Sequence, residues 1–259
     1  MKFTTIVSGS SGNCIYIEGG ATALLVDAGC SNRCLVQALA GFGRRPEQIA
    51  ALLITHEHRD HISGALRFAR RFGIPVYASE LTWEKLPFRN DFFREEQHIF
   101  EYGMKVGEIE VDFFRLAHDA VQPVGFVFSH QGQRVGVATD TGIVTPSMAR
   151  LLANADGMIF EANHDYDMLL HGPYPYPLKR RVASENGHLS NQQAGLALRE
   201  LIGERTQAVL LAHLSETNNR PELALAAVQA CLEPFRHHLP AITVAPRYTA
   251  HPLIELQTR

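Results

Sequence analysis

The sequence predicts an α/β fold made of two packed mixed sheets with helices on their outer faces. Short runs rich in apolar and β-branched residues, which are typical of strands, occur in both halves of the 259 residues, and helical segments separate them. Some runs are apolar throughout, as at 51–54 and 208–211, which is the pattern of a strand buried on both faces. Helix-coated strands in both halves fit two sheets packed against each other.

The first 41 residues predict three strands and one helix. The segment 8–13, Ser-Gly-Ser-Ser-Gly-Asn, has the composition of a turn, and Ser31 is a suitable N-cap for the helix that follows. The strands are predicted at 3–7, 14–17 and 22–26, and the helix at 31–41.

The rest of the chain continues this mixture of strands and helices. Further strands are predicted at 51–54, 76–78, 105–106, 109–116, 124–129, 134–138, 158–161, 208–211 and 242–244. Helices are predicted at 63–72, 79–86, 146–153, 190–202 and 221–232. No Pro/Gly/Ser-rich linker or internal repeat divides the chain, so we expect residues 1–259 to form one domain.

The composition is that of a globular enzyme rather than a membrane protein. Hydrophobic residues make up 46% of the chain, which is enough for a large core. The amino terminus is too short and polar for a signal peptide, and no apolar run approaches the roughly 18 residues that a membrane span needs. We therefore expect a cytoplasmic protein with no membrane partner, and a homo-oligomer is compatible with the sequence.

The most informative stretch is the sequence Thr-His-Glu-His-Arg-Asp-His at 55–61. It follows a predicted buried strand, and the side chains of an extended segment alternate, so His56 and His58 project on one side and can bind one ion together. Asp60 and His61 lie where the chain turns into the next helix, so they face another direction and suit a second ion. The alternative is a histidine-rich exposed turn.

This motif resembles the signature of the metallo-β-lactamase fold superfamily, whose members bind one or two metals at the edge of a four-layer αββα sandwich. The resemblance implies that sandwich here, with a third histidine, a bridging carboxylate and a late histidine, each at the end of a strand. His118, Asp140 and His213 match these three positions. The implied ligands are His56, His58 and His118 for the first ion and Asp60, His61 and His213 for the second, with Asp140 bridging. Asp119, next to His118, is expected to form hydrogen bonds instead, because adjacent side chains on an extended segment point apart.

A site of this kind predicts hydrolysis. Two divalent ions can lower the pKa of a bridging water from ~16 towards ~7, which provides a hydroxide nucleophile at neutral pH, and can hold a phosphoryl oxygen during attack. Zn²⁺ and Mn²⁺ both accept a His/Asp ligand set, so the cofactors are expected to be two divalent ions of either kind.

The proton donor for the leaving group is expected among the remaining histidines. His188 lies in Gly-His-Leu-Ser directly before a predicted helix, and His164 lies in Glu-Ala-Asn-His directly after a predicted strand. These contexts resemble the phosphodiesterase branches of the superfamily, those of tRNA 3′-end processing and cyclic phosphodiesterases, in which a histidine assists catalysis. The catalytic residues implied are Asp60 and His188, with His164 as the alternative to His188.

A closer resemblance covers nearly the whole chain. The segments 8–13, 118–120 with 123–126, 163–165, 174–181, 187–191 and 212–219 are similar to those of the YycJ/WalJ-like group. That group is associated with metal-dependent 5′-to-3′ exonuclease activity on DNA. The resemblance therefore implies a DNA substrate for this protein.

Local sequence features also bear on nucleic-acid binding. The net charge of −3 and pI near 6.5 do not indicate a general nucleic-acid binder. However, the segment between the two candidate catalytic histidines combines a stackable ring with three cations, namely Tyr174, Lys179, Arg180 and Arg181. This mixture suits binding of a single strand or an unpaired end. The alternative is an ordinary rigid Pro-Tyr loop. Asn13 and the amides beside it could bind a phosphate, although a tight hairpin needs such a loop anyway.

Three alternative functions are compatible with part of this set of motifs. Thiolesterases and β-lactamases usually carry the third histidine in a Gly-His-Thr/Ser context, whereas here the sequence is Ala-His-Asp-Ala at 117–120. A phosphodiesterase acting on a small cyclic or ester phosphodiester, or on RNA, is the stronger alternative because the acidic pI suits a small substrate. A non-enzymatic scaffold or sensor is disfavoured by the complete ligand set.

Overall fold

Two seven-stranded sheets form the centre of the computed structural model, which describes residues 1–93, 96–233 and 239–258. The first sheet contains β1 (Lys2–Val7), β2 (Cys14–Gly19), β3 (Thr22–Val26), β4 (Ile49–Leu53), β5 (Val76–Ala78), β6 (Gln97–Ile99) and β14 (Ile254–Glu255). The second contains β7 (Met104–Val106), β8 (Ile109–Arg115), β9 (Val124–His130), β10 (Gln133–Ala138), β11 (Gly157–Glu161), β12 (Ala208–Ala212) and β13 (Ala241–Val244).

The two sheets have matching topologies. The first has the order β14-β1-β2-β3-β4-β5-β6 and the second the order β13-β12-β11-β10-β9-β8-β7. In each sheet antiparallel pairs give way to parallel pairs, from β3 to β6 in the first and from β10 to β13 in the second. The carboxyl ends of the parallel strands therefore meet at one edge of each sheet.

The strands are buried on both faces because each sheet lies between the other sheet and a helix layer. Leu24 and Val26 of β3 pack towards the second sheet, where they join a cluster with Phe126 and Ile159. Leu25, from the opposite face of β3, belongs instead to the cluster under the outer helices. This arrangement confirms the predicted αββα sandwich and explains the continuously apolar strand sequences.

The helices lie outside the sheets. They are α1 (Asn32–Gly41), α2 (Arg59–Ile62), α3 (Ala65–Phe72), α4 (Glu80–Lys85), α5 (Pro146–Leu152), α6 (Tyr166–His171), α7 (Tyr176–Val182), α8 (Asn191–Leu201) and α9 (Pro221–Leu232). Ser31 caps α1 and Ser190 caps α8, each by accepting a hydrogen bond from a backbone amide of the first turn. Within the described ranges, no helix is long and apolar enough to cross a membrane.

Two predicted elements differ from the structure. The helix predicted at 63–72 begins only at Ala65, as α3, and a separate short helix, α2, precedes it. Gly64 lies between the two helices, so close to the segment before α1 that an added Cβ would be 2.0 Å from the Cys30 carbonyl oxygen. The loop interpretation of 174–181 is wrong from Tyr176 onward, where α7 begins. Pro177 does not prevent this helix, since proline is tolerated in the first turn, where the backbone N–H groups have no helical partner.

Candidate metal centre

The candidate ligands lie where the parallel strands end. His56 follows β4, Asp140 follows β10, and His213 follows β12. Asp140 and His213 have left-handed backbones, with φ of 63° and 56°. Such conformations are uncommon for residues with a side chain and are typically kept at functional sites, where they turn the chain sharply after a strand.

Three histidines form one half of the centre. The ring centroids of His56 and His58 are 4.5 Å apart, and the His118 ring lies 5.2 Å from the first and 5.1 Å from the second. One nitrogen from each ring lies within 4.8 Å of the others, a spacing that could place all three around one ion.

Asp60, His61 and His213 form the other half, and Asp140 lies between the halves. Ligand atoms of the first three lie within 4.8 Å of one another. Asp140 Oδ2 is 3.4 Å from His61 Nε2, and its Oδ1 is 3.8 Å from His118 Nε2. The structure thus brings together all seven predicted ligands, with Asp140 in the position of a shared ligand.

Each of four ligand histidines has its Nδ1 held by a different neighbour. The acceptors are Thr55 Oγ1 for His56 at 2.9 Å, Asp27 Oδ2 for His61 at 2.7 Å, the Gly187 carbonyl oxygen for His118 at 3.1 Å and Glu161 Oε1 for His213 at 2.9 Å. A proton fixed on Nδ1 leaves Nε2 with a lone pair, which is the usual arrangement around a metal-ligating histidine.

Several buried polar atoms in the centre lack a hydrogen-bond partner among the residues that the structure describes. His56 Nε2, His213 Nε2 and Asp140 Oδ2 are buried without a hydrogen bond. Burying such atoms unpaired costs roughly 1–3 kcal/mol each, so groups of this kind are normally satisfied by a metal, a ligand or water. The unpaired atoms belong to the predicted ligands of both halves, and the residues present therefore fit divalent metal ions.

The carboxylates of the centre are ionised at neutral pH. Burial raises the pKa of Asp140, but His213 and His61 outweigh burial and hold the pKa well below its usual range. The same competition, with His188 and His213 as the partners, lowers the pKa of Glu161 to about 2. Burial of Asp60 is likewise outweighed by hydrogen bonds from His213 and His61, so its pKa is also lowered. Burial lowers the pKa of His61 and of His213, but neighbouring carboxylates, chiefly Asp140, outweigh it and raise both values. The negative charge of the carboxylates is therefore partly balanced by these two rings, and a cation that binds there would displace their protons.

His188 lies beside the ligands and remains partly open to solvent. Its ring is 5.0 Å from that of His118 and 5.2 Å from that of His213, and 19% of its side chain is exposed. His188 Nδ1 lies 2.8 Å from Glu161 Oε1. Because Glu161 engages Nδ1, Nε2 is the ring atom left to exchange a proton with a substrate.

His164, the alternative proton donor, is enclosed. Only 1% of its surface is exposed, and within the described part of the chain its buried Nδ1 has no hydrogen-bond partner. Its backbone pairs with that of Ser190, which fixes the start of α8 against the end of β11. Burial lowers the pKa of His164 to about 4, so the ring is neutral at pH 7.

The predicted substrate-binding residues occupy two different environments. Asn13 is buried inside the centre, where its Nδ2 lies 3.1 Å from Asp60 Oδ2 and 3.0 Å from His61 Nε2. The others lie on or just before α7. Arg181 forms an ion pair with Asp119, the neighbour of His118, whereas Lys179 donates to the Leu170 carbonyl oxygen. Tyr174 is half-buried and Arg180 is exposed. Substrate binding by these residues stays a prediction.

A family model described as a beta-lactamase superfamily domain matches residues 22–213. This chain belongs to the β-lactamase superfamily. The matched range contains all seven predicted metal ligands, from His56 to His213.

Two curated proteins resemble this superfamily member over most of its length. Exodeoxyribonuclease WalJ of Streptococcus pneumoniae serotype 2 is 42% identical over 228 residues, which cover 86% of this chain and 85% of the relative. Exodeoxyribonuclease YycJ of Bacillus anthracis is 37% identical over 236 residues, covering 90% and 89%. Among solved structures, the metallo-β-lactamase fold protein YhfI from Bacillus subtilis superposes with a TM-score of 0.72 at 20% identity, covering 96% of this chain and 98% of the other.

Sequence reasoning did not assign two buried carboxylates of this superfamily site. Asp27 accepts hydrogen bonds from Thr55 and lies 2.7 Å from His61 Nδ1, while Glu161 supports both His188 and His213. Each stands at the end of an apolar strand, as Asp140 does. An acidic residue after a fully apolar run was therefore the available signal, because burying a carboxylate there requires hydrogen-bonding partners.

Proposed function

We propose that this protein is a metal-dependent phosphodiester hydrolase that acts as a 5′-to-3′ exonuclease on DNA, with residues 1–259 forming one hydrolase domain. The observation that carries the proposal is the pairing of the seven-ligand centre with an adjacent, partly exposed His188. The similarity to two bacterial exodeoxyribonucleases over most of the chain supports DNA as the substrate. A DNA substrate in turn favours a cytoplasmic location.

The residues that would hold the metal ions follow from the geometry. His56, His58 and His118 would hold one ion, Asp60, His61 and His213 a second, and Asp140 would be shared. Two such ions, Zn²⁺ or Mn²⁺, supply an activated water and neutralise phosphate charge when bound. Asp27 and Glu161 keep the imidazoles of His61 and His213 in the orientation and tautomer that binding requires.

His188 supplies the proton that the leaving group needs. In 5′-to-3′ digestion the bond that breaks joins phosphorus to the 3′ oxygen of the terminal nucleotide, and that oxygen leaves as an alkoxide unless it is protonated. With Nδ1 held by Glu161, His188 donates from Nε2 to the departing oxygen, and the Glu161 carboxylate stabilises the imidazolium before transfer. Solvent can then reprotonate the partly exposed ring.

Substrate contacts are proposed on the segment that contains α7. The last turn of α7 carries Lys179, Arg180 and Arg181, and Tyr174 lies just before the helix. Three cations in one helical turn form a local positive cluster in a protein of net charge −3, and Arg181 is linked to the centre through Asp119, the neighbour of His118. Local cations of this kind can contact phosphates of a strand end, and a tyrosine can stack on an unpaired base.

The proposal is tested by incubating protein loaded separately with Zn²⁺ or Mn²⁺, beside an Asp140→Ala control, with end-labelled single- and double-stranded DNA and RNA. We expect mononucleotides to be released from DNA 5′ ends and this release to be lost in the control. In parallel, bis(p-nitrophenyl) phosphate serves as the small substrate. Hydrolysis of this diester with every polymer left intact would overturn the exonuclease proposal and favour a small-molecule phosphodiesterase.

A further inference from the structure

Asp119 links the metal centre to a cation on α7. Its Oδ1 lies 3.4 Å from His118 Nε2, and its Oδ2 accepts a hydrogen bond from Arg181 Nε. Asp119 is 29% exposed, whereas the Arg181 side chain is 61% exposed. One short carboxylate therefore separates a candidate metal ligand from an accessible guanidinium.

The end of α7 is fixed against the centre by contacts other than this ion pair. His188 N donates to the Val182 carbonyl oxygen at 2.9 Å, and His118 Nδ1 donates to the Gly187 carbonyl oxygen at 3.1 Å. Gly187 approaches the helix so closely that an added Cβ would lie 2.2 Å from the carbonyl oxygens of Arg181 and Val182. The backbone that carries Arg181 thus has a defined position relative to His118 and His188.

We propose that Asp119 is a positioning residue. It orients the Arg181 guanidinium so that this group binds a backbone phosphate of the DNA on the His118 side of the centre. This inference rests on the proposed exonuclease function and deepens it, because it names a side chain that contacts the substrate and the side of the centre on which that contact lies.

The chemistry of the pair supports this role. A guanidinium has five N–H donors, and the bond from Nε to Asp119 leaves the two terminal nitrogens for a phosphate. An ion pair formed before binding also reduces the rotamer freedom that Arg181 would lose on contacting DNA.

Asp119 has one competing role, which is to support His118 or the metal directly. Its Oδ1 lies near His118 Nε2, the nitrogen that would face an ion. The two roles predict different results, because a positioning residue acts only through Arg181, whereas a residue that supports the metal acts whether or not Arg181 is present.

A double-mutant cycle on metal-loaded protein separates them. The variants are Arg181→Gln, Asp119→Ala and the double variant, assayed on 5′-labelled single-stranded DNA at several salt concentrations, with metal content measured for each. Asp119→Asn, which keeps the shape of the side chain without its charge, repeats the test in case the alanine variant is unstable. Arg150→Gln, which replaces an exposed cation on α5, is the matched control.

We expect Arg181→Gln to raise KM for DNA about tenfold with little change in kcat, since a hydrogen bond to a charged group is lost. The slope of log(kcat/KM) against log salt should become shallower by about 0.7, the value for one phosphate contact on a single strand. Asp119→Ala should change KM and the slope in the same direction and add little in the Arg181→Gln background. Arg150→Gln should leave both quantities unchanged.

Other outcomes would overturn the inference in distinguishable ways. Additive effects of the two substitutions, or loss of metal in Asp119→Ala, would assign Asp119 to the metal centre. If Arg181→Gln still digests DNA and its KM and salt slope equal those of the wild type, the inference is wrong and the exonuclease function is unaffected. If wild-type protein releases no nucleotides from DNA, both proposals fail.

Discussion

Oε1 of Glu161 lies 2.8 Å from Nδ1 of His188 and is the same oxygen that lies 2.9 Å from Nδ1 of His213. A candidate metal ligand and the proposed proton donor are therefore held by a single atom. The second oxygen of this fully buried carboxylate accepts hydrogen bonds from the backbone amides of Thr141 and Leu189. Glu161 thus connects the candidate metal ligand His213, the proposed proton donor His188 and the loop after β10.

We predict that Glu161→Gln lowers both activity and stability. The amide group can accept hydrogen bonds through only one of its two positions, so some donors that now face Glu161 would meet an NH2 group. Loss of such support around a metal typically costs about 10–100-fold in activity or metal affinity. One mispaired buried donor should reduce the free energy of unfolding by about 1–3 kcal/mol. The measurements are kcat on DNA, metal content and a urea unfolding curve.

The matched control for Glu161→Gln is Glu84→Gln, which makes the same chemical change at an exposed position on α4. It should leave all three measurements unchanged. Full activity and metal content in Glu161→Gln would show that the shared oxygen has no functional role.

The effect of His188→Asn should depend on the leaving group. Loss of a general acid typically lowers kcat by about 10²–10⁴-fold. We expect a loss in this range on DNA, whose departing 3′ oxygen is strongly basic, and a much smaller loss on bis(p-nitrophenyl) phosphate, because p-nitrophenolate leaves without a proton. His171→Asn, at an exposed position, is the control. Equal losses on both substrates would mean that His188 acts in some way other than proton donation.

His164 predicts a pH dependence of stability. Its pKa is about 4 in the folded protein, mainly because of burial, against an ordinary value of 6.5. In the unfolded chain His164 therefore becomes protonated below about pH 6.5, whereas in the folded protein it stays neutral down to about pH 4. Stability should fall by roughly 3 kcal/mol across this window on account of His164 alone. His164→Asn, which cannot titrate, should lose correspondingly less between pH 7 and pH 4.

The test is urea unfolding of wild-type protein and His164→Asn at several pH values, both treated with a chelator so that metal release does not contribute. The difference between the two curves isolates His164 from the other titrating groups. Parallel curves would contradict a buried, neutral imidazole. A loss of nucleolysis in His164→Asn as large as that in His188→Asn would make His164 the better candidate for the proton donor.

The sequence was most informative where a residue type and its strand context pointed to the same role. The candidate metal ligands could be predicted because the motif at 55–61 resembles that of the superfamily, and His118, Asp140 and His213 match its remaining positions after predicted strands. The parallel topology then brings most of these strand ends together. The αββα sandwich could be predicted because burial on both faces makes strands continuously apolar.

Other features depended on three-dimensional contacts that leave little trace in the sequence. The role of Glu161 arises because β11 lies between β10 and β12, which brings its carboxylate next to both His188 and His213. The helix α7 was missed because its prolines indicate a loop in isolation. The break between α2 and α3 depends on the close approach of Gly64 to a segment more than thirty residues earlier in the chain.

Gly29 is predicted to be essential because it lets the backbone before α1 pack against the first metal motif. A Cβ at this position would lie 1.6 Å from the Asp60 carbonyl oxygen and 2.7 Å from Asn13 N. Both atoms belong to the backbone, and Asn13 N donates to the Asp60 carbonyl oxygen at 2.7 Å, so neither can move without displacing Asp60. Gly29→Ala should therefore reduce stability by at least about 3 kcal/mol, at the upper end of the usual cost of overpacking.

Gly41→Ala is the matched control for Gly29→Ala. Gly41 is the last residue of α1, and a Cβ there would have none of the described residues within 4 Å. Because alanine is a better helix former than glycine, this variant should be unchanged or more stable by up to about 1 kcal/mol. Thermal unfolding and metal content should be measured for both variants. If Gly29→Ala unfolds at the wild-type temperature and keeps its metal, the packing of this segment does not position Asp60, and the second half of the centre must be held by the side-chain contacts of Asn13 and Asp27 instead.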